Sequence, residues 1–145
     1  MSETVYQQSV VLTAPPEQVF WDLLDPSHVA GYDSHMRSWQ PREWPPTVGT
    51  RVDFEAKVGS MWLKGGSEFV AFDPPGHLEL RQVSPPTPFR SRLTWDLADT
   101  GDGTEFTYRF VLSSPPGWRW LGARLLGVFT SHLSDELPAL ANRYR

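Results

Sequence analysis

From Trp118 to Tyr144 the apolar positions step by threes and fours: Trp118, Leu121, Leu125, Phe129, Leu133, Leu137, Leu140 and Tyr144. That spacing lays a single apolar stripe along one helix face. Gly122 and Gly127 interrupt it, each at a cost of about 1 kcal/mol relative to alanine. Small residues there are expected to let the helix approach a neighbouring surface closely, or to leave space beside it. Pro138 is expected to kink or end the helix. A stripe this long needs a broad apolar surface to lie on.

The middle of the chain supplies it with a period of two. Val52, Phe54, Ala56 and Val58 alternate with Arg51, Asp53, Glu55 and Lys57; Phe106, Tyr108, Phe110 and Leu112 alternate with Glu105, Thr107 and Arg109. Each run is a strand with one wet face. Val5–Leu12, His35–Gln40, Met61–Phe72, His77–Val83 and Phe89–Leu97 read as the other strands. The connections Gly59-Ser60, Asp73-Pro74-Pro75-Gly76 and Asp99-Thr100-Gly101-Asp102-Gly103 are hairpin-sized, which makes the sheet antiparallel. After the first strand, Pro15-Pro16-Glu17 opens a helix that buries Val19, Phe20, Leu23 and Leu24 and stops at Asp25-Pro26. Ser27–Ala30 reads as a second short helical turn. Five Pro-Pro pairs mark joints between elements of one domain, residues 1–145.

Three stretches carry a resemblance: Ala14-Pro15-Pro16-Glu17-Gln18-Val19-Phe20 through Leu24-Asp25-Pro26-Ser27-His28-Val29, Phe72-Asp73-Pro74-Pro75 before a strand, and Asp102-Gly103-Thr104 opening the last strand. In that order, over nearly the whole chain, the sequence resembles the START/Bet v1-like (SRPBCC) superfamily. Its polyketide cyclase/dehydrase and lipid-transport-like subgroup fits the pattern best. The resemblance implies an α+β helix-grip fold, in which a curved antiparallel sheet of six or seven strands wraps around the C-terminal helix. It also implies a cavity between them for an apolar or aromatic small molecule. Where many relatives carry tryptophan after the second helix, this chain has Tyr32.

Composition narrows the chemistry. The chain has 145 residues, long enough to bury roughly 70% of its unfolded surface without staples. It has no cysteine, which excludes disulfides and thiolate metal sites. The formal charge of −4 argues against nucleic acid as a partner. Met1-Ser2-Glu3-Thr4 has neither a basic region nor an apolar run, and no stretch is long enough for a membrane span, so a cytoplasmic protein is expected. A homodimer is compatible with the sequence. Seven tryptophans exceed what a tight core of this size needs, so some are expected at a cavity or on an exposed patch.

Strand alternation turns Phe54, Phe69, Trp95, Tyr108 and Phe110 inward, with Leu125 and Phe129 on the helix side and Tyr32 and Trp39 near the mouth. These nine are the candidate ligand contacts; for each of the seven inward and helix-side residues, ordinary core packing is the plainer reading. As an enzyme the chain would need a general acid or base in the cavity. His35, Tyr108 and Arg37 are the candidates by type, although a single histidine at a strand start is commonly a surface residue. No nucleophile–base pair, carboxylate pair or phosphate-binding glycine loop is visible. No metal site and no cofactor are expected, because the four histidines include no i, i+4 pair and Asp96, Asp99 and Asp102 lack calcium-loop spacing. The leading expectation is therefore binding of a hydrophobic small molecule. The alternatives are a cyclase/dehydrase acting in the same cavity, or an interaction module using Trp118 and Trp120.

Overall fold

The computed structural model describes residues 2–29 and 33–144. Seven strands, β1 (Ser2–Leu12), β2 (Met36–Pro41), β3 (Arg51–Val58), β4 (Met61–Asp73), β5 (His77–Ser84), β6 (Arg90–Asp99) and β7 (Thr104–Ser114), form one antiparallel sheet in the order β1-β7-β6-β5-β4-β3-β2. Helix α1 (Pro16–Leu24) follows β1, and α2 (Arg119–Thr130) and α3 (Leu133–Arg143) follow β7. All five Pro-Pro pairs lie at joints between these elements. The expected second helical turn over Ser27–Ala30 runs into residues outside those described.

Register, rather than residue type, decides which side chains of β1 face inward. Val10 lies opposite Phe106 and Tyr6 opposite Phe110. This pairing commits the even-numbered positions to the inner face, because a one-residue slip would turn every side chain over. Val5 and Val11 are left 45% and 60% exposed despite their apolar side chains.

Helices α2 and α3 lie against β1, and α2 also lies against β7. They form one C-terminal rod with a joint at Ser131-His132. Both joint residues keep right-handed helical angles (φ −57°, ψ −34° and φ −69°, ψ −26°), so the rod keeps its course. Helix α3 runs through Pro138 to Arg143, so the proline does not end it. Its ring removes the donor that would reach the Ser134 carbonyl, but both residues are exposed and water can solvate that oxygen.

The two ends of the rod pack differently. Leu133, Leu137, Leu140 and Tyr144 are buried in a solid core with Phe20, Phe69, Trp95 and Phe106. Phe20, fully buried, meets Trp21, Phe72 and Trp95 at ring-centroid distances of 5.4, 5.8 and 6.4 Å. On α2 the fully covered positions are Gly122, Leu126 and Thr130. Leu121, Leu125 and Phe129, on the expected stripe, are only half-buried, and Trp118 is exposed. The two glycines also part company. Gly122 sits against the Ser114 side chain, whereas Gly127 faces open space and plays no part in the packing.

One buried hydrogen bond ties the start of β7 to the chain entering α1: the Thr104 hydroxyl donates to the Ala14 carbonyl over 2.7 Å. Thr104→Val keeps the shape and orphans that carbonyl. It is expected to cost about 1–2 kcal/mol in urea unfolding, the usual penalty for a buried acceptor left without its donor.

Candidate functional site

Under α2 the sheet and rod do not touch everywhere. A cavity of about 310 Å³ separates them, lined by Phe54, Tyr108, Phe110 and Leu112 from the sheet and by Leu125 and Phe129 from α2. Phe110 and Phe129 meet edge-on across it at 6.3 Å. The half-burial of Leu125 and Phe129 follows from this position, since one side of each looks into the gap. Lys57 and Lys64 also line the cavity and add positive charge to a largely apolar wall.

One part of the wall is polar. Asp33, His35, Tyr108 and His132 all line the cavity there. The Asp33 carboxylate accepts from His132 Nε2 at 2.8 Å and from the His35 backbone N–H at 3.0 Å. The His35 and His132 rings stack 3.8 Å apart, 17° from parallel. Glu136, one turn along α3, places a carboxylate oxygen 3.8 Å from His132 Nε2 and accepts from the Ser34 N–H at 3.3 Å. His132 Nδ1 is buried with no partner among the described residues. Burial, then the nearby His132, lowers the pKa of His35 below its ordinary value, against the opposing pull of Asp33 and Glu136. Burial also raises the Tyr108 phenol far above its usual range, with smaller contributions from Asp33 and Tyr6, so the hydroxyl stays protonated. It offers the cavity one neutral donor.

The residues singled out from sequence therefore divide. Phe54, Tyr108, Phe110, Leu125, Phe129 and His35 line the cavity. Phe69, Trp39 and Trp95 sit in the solid core. Trp39 and Trp95 border a separate void of about 70 Å³ there, which Tyr108 and Asp33 also reach. Arg37 lies outside: its guanidinium is exposed, pairs with Glu55 and rests 4.6 Å from the Trp62 ring. Tyr32 lies outside the described residues. Trp118 and Trp120 stack on the surface at 6.3 Å, 49% and 61% exposed. Sequence reasoning missed Asp33 and His132. The only local signal for either was His132–Glu136, an i, i+4 pair of potential ligands on one helix face. A search restricted to histidine pairs passes over it.

A family model described as polyketide cyclase / dehydrase and lipid transport matches residues 3–144. None of the curated protein sequences matches the chain. Among solved structures, the Zhui aromatase/cyclase from Streptomyces sp. R1128 is similar with a TM-score of 0.77 and 13% identity, over 98% of this chain and 95% of that one. The di-domain aromatase/cyclase BexL from the BE-7585A biosynthetic pathway gives 0.74 and 18%, over 98% of this chain and 50% of that one, so this chain spans half its length. A START superfamily protein from Mycobacterium smegmatis gives 0.73 and 10%, over 97% and 99%. At these identities the likenesses establish a shared helix-grip fold. No helix among the described residues is long and apolar enough to cross a membrane.

Proposed function

Since the chain belongs to the polyketide cyclase/dehydrase and lipid transport family, we propose that it binds a hydrophobic or aromatic small molecule between the sheet and α2. The observation that carries this reading is the cavity of about 310 Å³ with apolar walls and one polar end. Left dry and empty, that volume would cost about 7 kcal/mol at roughly 24 cal/mol per Å³, against a total stability of about 5–15 kcal/mol. Such a space therefore holds ligand or water, or stays open to solvent, and its largely apolar lining favours an apolar guest over water. Aromatic and aliphatic side chains suit an apolar body, while the Tyr108 hydroxyl and the two lysines suit an oxygen-bearing or anionic head.

The test uses 1-anilinonaphthalene-8-sulfonate, an aromatic anion. Its fluorescence is expected to rise on binding wild-type protein with a stoichiometry of one, and Phe110→Ala is expected to weaken binding about fivefold, roughly 1 kcal/mol. Absence of a saturable signal, or a signal indifferent to Phe110, would overturn the assignment.

One observation favours turnover as a second reading. Asp33, His35 and His132 converge on the cavity wall, where a general base can reach a bound molecule. For a linear poly-β-ketone, such a base would take a proton from the carbon between two carbonyls. The resulting enolate would close a ring on a second carbonyl, and the proton would return to the alkoxide formed. Asp33→Asn and His35→Ala are then expected to remove cyclisation of a poly-β-keto thioester. Unchanged turnover would return the cluster to a structural role.

A further inference from the structure

The polar end of the cavity has the makings of a metal centre. One ligand atom from each of Asp33, His35 and His132 lies within 4.8 Å of the other two. Bonds of about 2.0–2.2 Å from one tetrahedral ion hold its ligand atoms roughly 3.3 Å apart. The His35 and His132 rings are stacked, so one of them has to turn out of the stack for both nitrogens to meet Asp33 on a common ion. We propose that Asp33, His35 and His132, completed by Glu136, bind one divalent transition-metal ion of the Zn²⁺ class.

Several features make this more than a chance meeting of polar groups. The set holds two imidazoles and two carboxylates, so two neutral donors and two negative charges balance a doubly charged ion. Imidazole with carboxylate is a donor set that zinc accepts and that calcium and magnesium do not favour. Both carboxylates are held from outside: the His35 N–H donates to Asp33, and the Ser34 N–H to Glu136. Such supporting bonds orient metal ligands. His132 and Glu136 share one helix face, a rigid two-ligand platform. The side chains of His132, Asp33 and Glu136 are 9%, 17% and 25% exposed, so an ion there is largely shielded from water. The competing account is a metal-free latch. In it, the His132–Asp33 hydrogen bond pins the segment before β2 to the joint between α2 and α3.

An ion at this point would sit in the wall of the cavity that Tyr108 also lines. It would attract a ketone, enolate or phenolate oxygen of whatever enters. The metal proposal does not depend on that ligand, and ion binding is measured separately from dye binding.

The test is titration of ZnCl₂ into the chelator-treated 145-residue chain by calorimetry, with parallel thermal melts. Wild type is expected to take up one ion per chain and to melt at a higher temperature when loaded. His35→Ala and Glu136→Gln change partly exposed positions, and both are expected to stay folded by circular dichroism while binding at least about tenfold more weakly. X-ray absorption at the zinc edge is expected to show nitrogen and oxygen ligands with imidazole scattering. Absence of saturable binding in wild type, or equal binding by wild type and the His35→Ala, His132→Ala double variant, would overturn the proposal and leave the latch.

Discussion

Replacing Gly103 with alanine is expected to lower stability by about 2–3 kcal/mol in urea unfolding, with no change in the chemistry of any side chain nearby. Gly103 is buried where β7 begins beside the end of β1. A Cβ built there would overlap the Leu12 carbonyl oxygen and come within 3.1 Å of the Leu12 carbonyl carbon and 3.2 Å of Thr13 Cα. All three atoms are backbone, so no rotamer change relieves the clash. Leu12 is itself fully buried, and the next residue along β7, Thr104, holds Ala14 through its hydroxyl. Pushing the strands apart would strain that bond and the first rung of the β1–β7 ladder together. Overpacking costs about 1–3 kcal/mol, and a rigid neighbour places this case in the upper part of that range. A midpoint within experimental error of wild type would show that the two strands part more easily here than their contacts imply.

Gly103 also shows where sequence reading succeeds and where it stops. Asp102-Gly103-Thr104 was legible as the opening of the last strand. The reason for its glycine was not, because the atom that forbids a side chain belongs to residue 12. Helix α1 was fully readable: Val19, Phe20, Leu23 and Leu24 are the four residues it buries. Period and capping are local properties, and so are recoverable from local sequence. Depth along a strand is not. The inward stripe of β7 runs from Phe106 in the solid core, through Tyr108 at its border, to Phe110 and Leu112 on the cavity. Alternation assigns all four to one face and cannot tell a core residue from a ligand contact. Which end is filled depends on where α1 and α3 press against the sheet, which only the assembled fold decides. For the same reason alternation does not separate Phe69 and Trp95, in the core, from Phe54 and Phe110, on the cavity.

The polar cluster was less legible still. Asp33 and His132 stand 99 positions apart and meet because the C-terminal rod crosses the sheet with its joint beside the segment before β2. The pattern of apolar residues placed the rod but not its joint. It gave no sign that a histidine at that joint would stack on His35. A single histidine near a strand start reads as a surface residue until its partner arrives from the far end of the chain.

Filling the cavity is expected to separate binding from folding. Ala56 lies on β3 with its side chain among the cavity-lining residues, between Phe54 and Val58 on the same face. Tryptophan at this position would direct its ring into empty space. Most core substitutions of this kind are costly because the larger side chain displaces neighbours. Here the space above Ala56 is open, flanked by Met36 and Leu63 on the neighbouring strands, and the ring would supply dispersion contacts that the lining now lacks. Ala56→Trp is therefore expected to melt within a few degrees of wild type. It is also expected to bind 1-anilinonaphthalene-8-sulfonate about 100-fold more weakly, close to 2.7 kcal/mol. The two readouts distinguish the ways the idea can fail. A collapse in melting temperature would mean that the space is not free to be filled. Unaltered dye binding in a well-folded variant would place the dye elsewhere on the molecule, and with it the case for a ligand between sheet and rod.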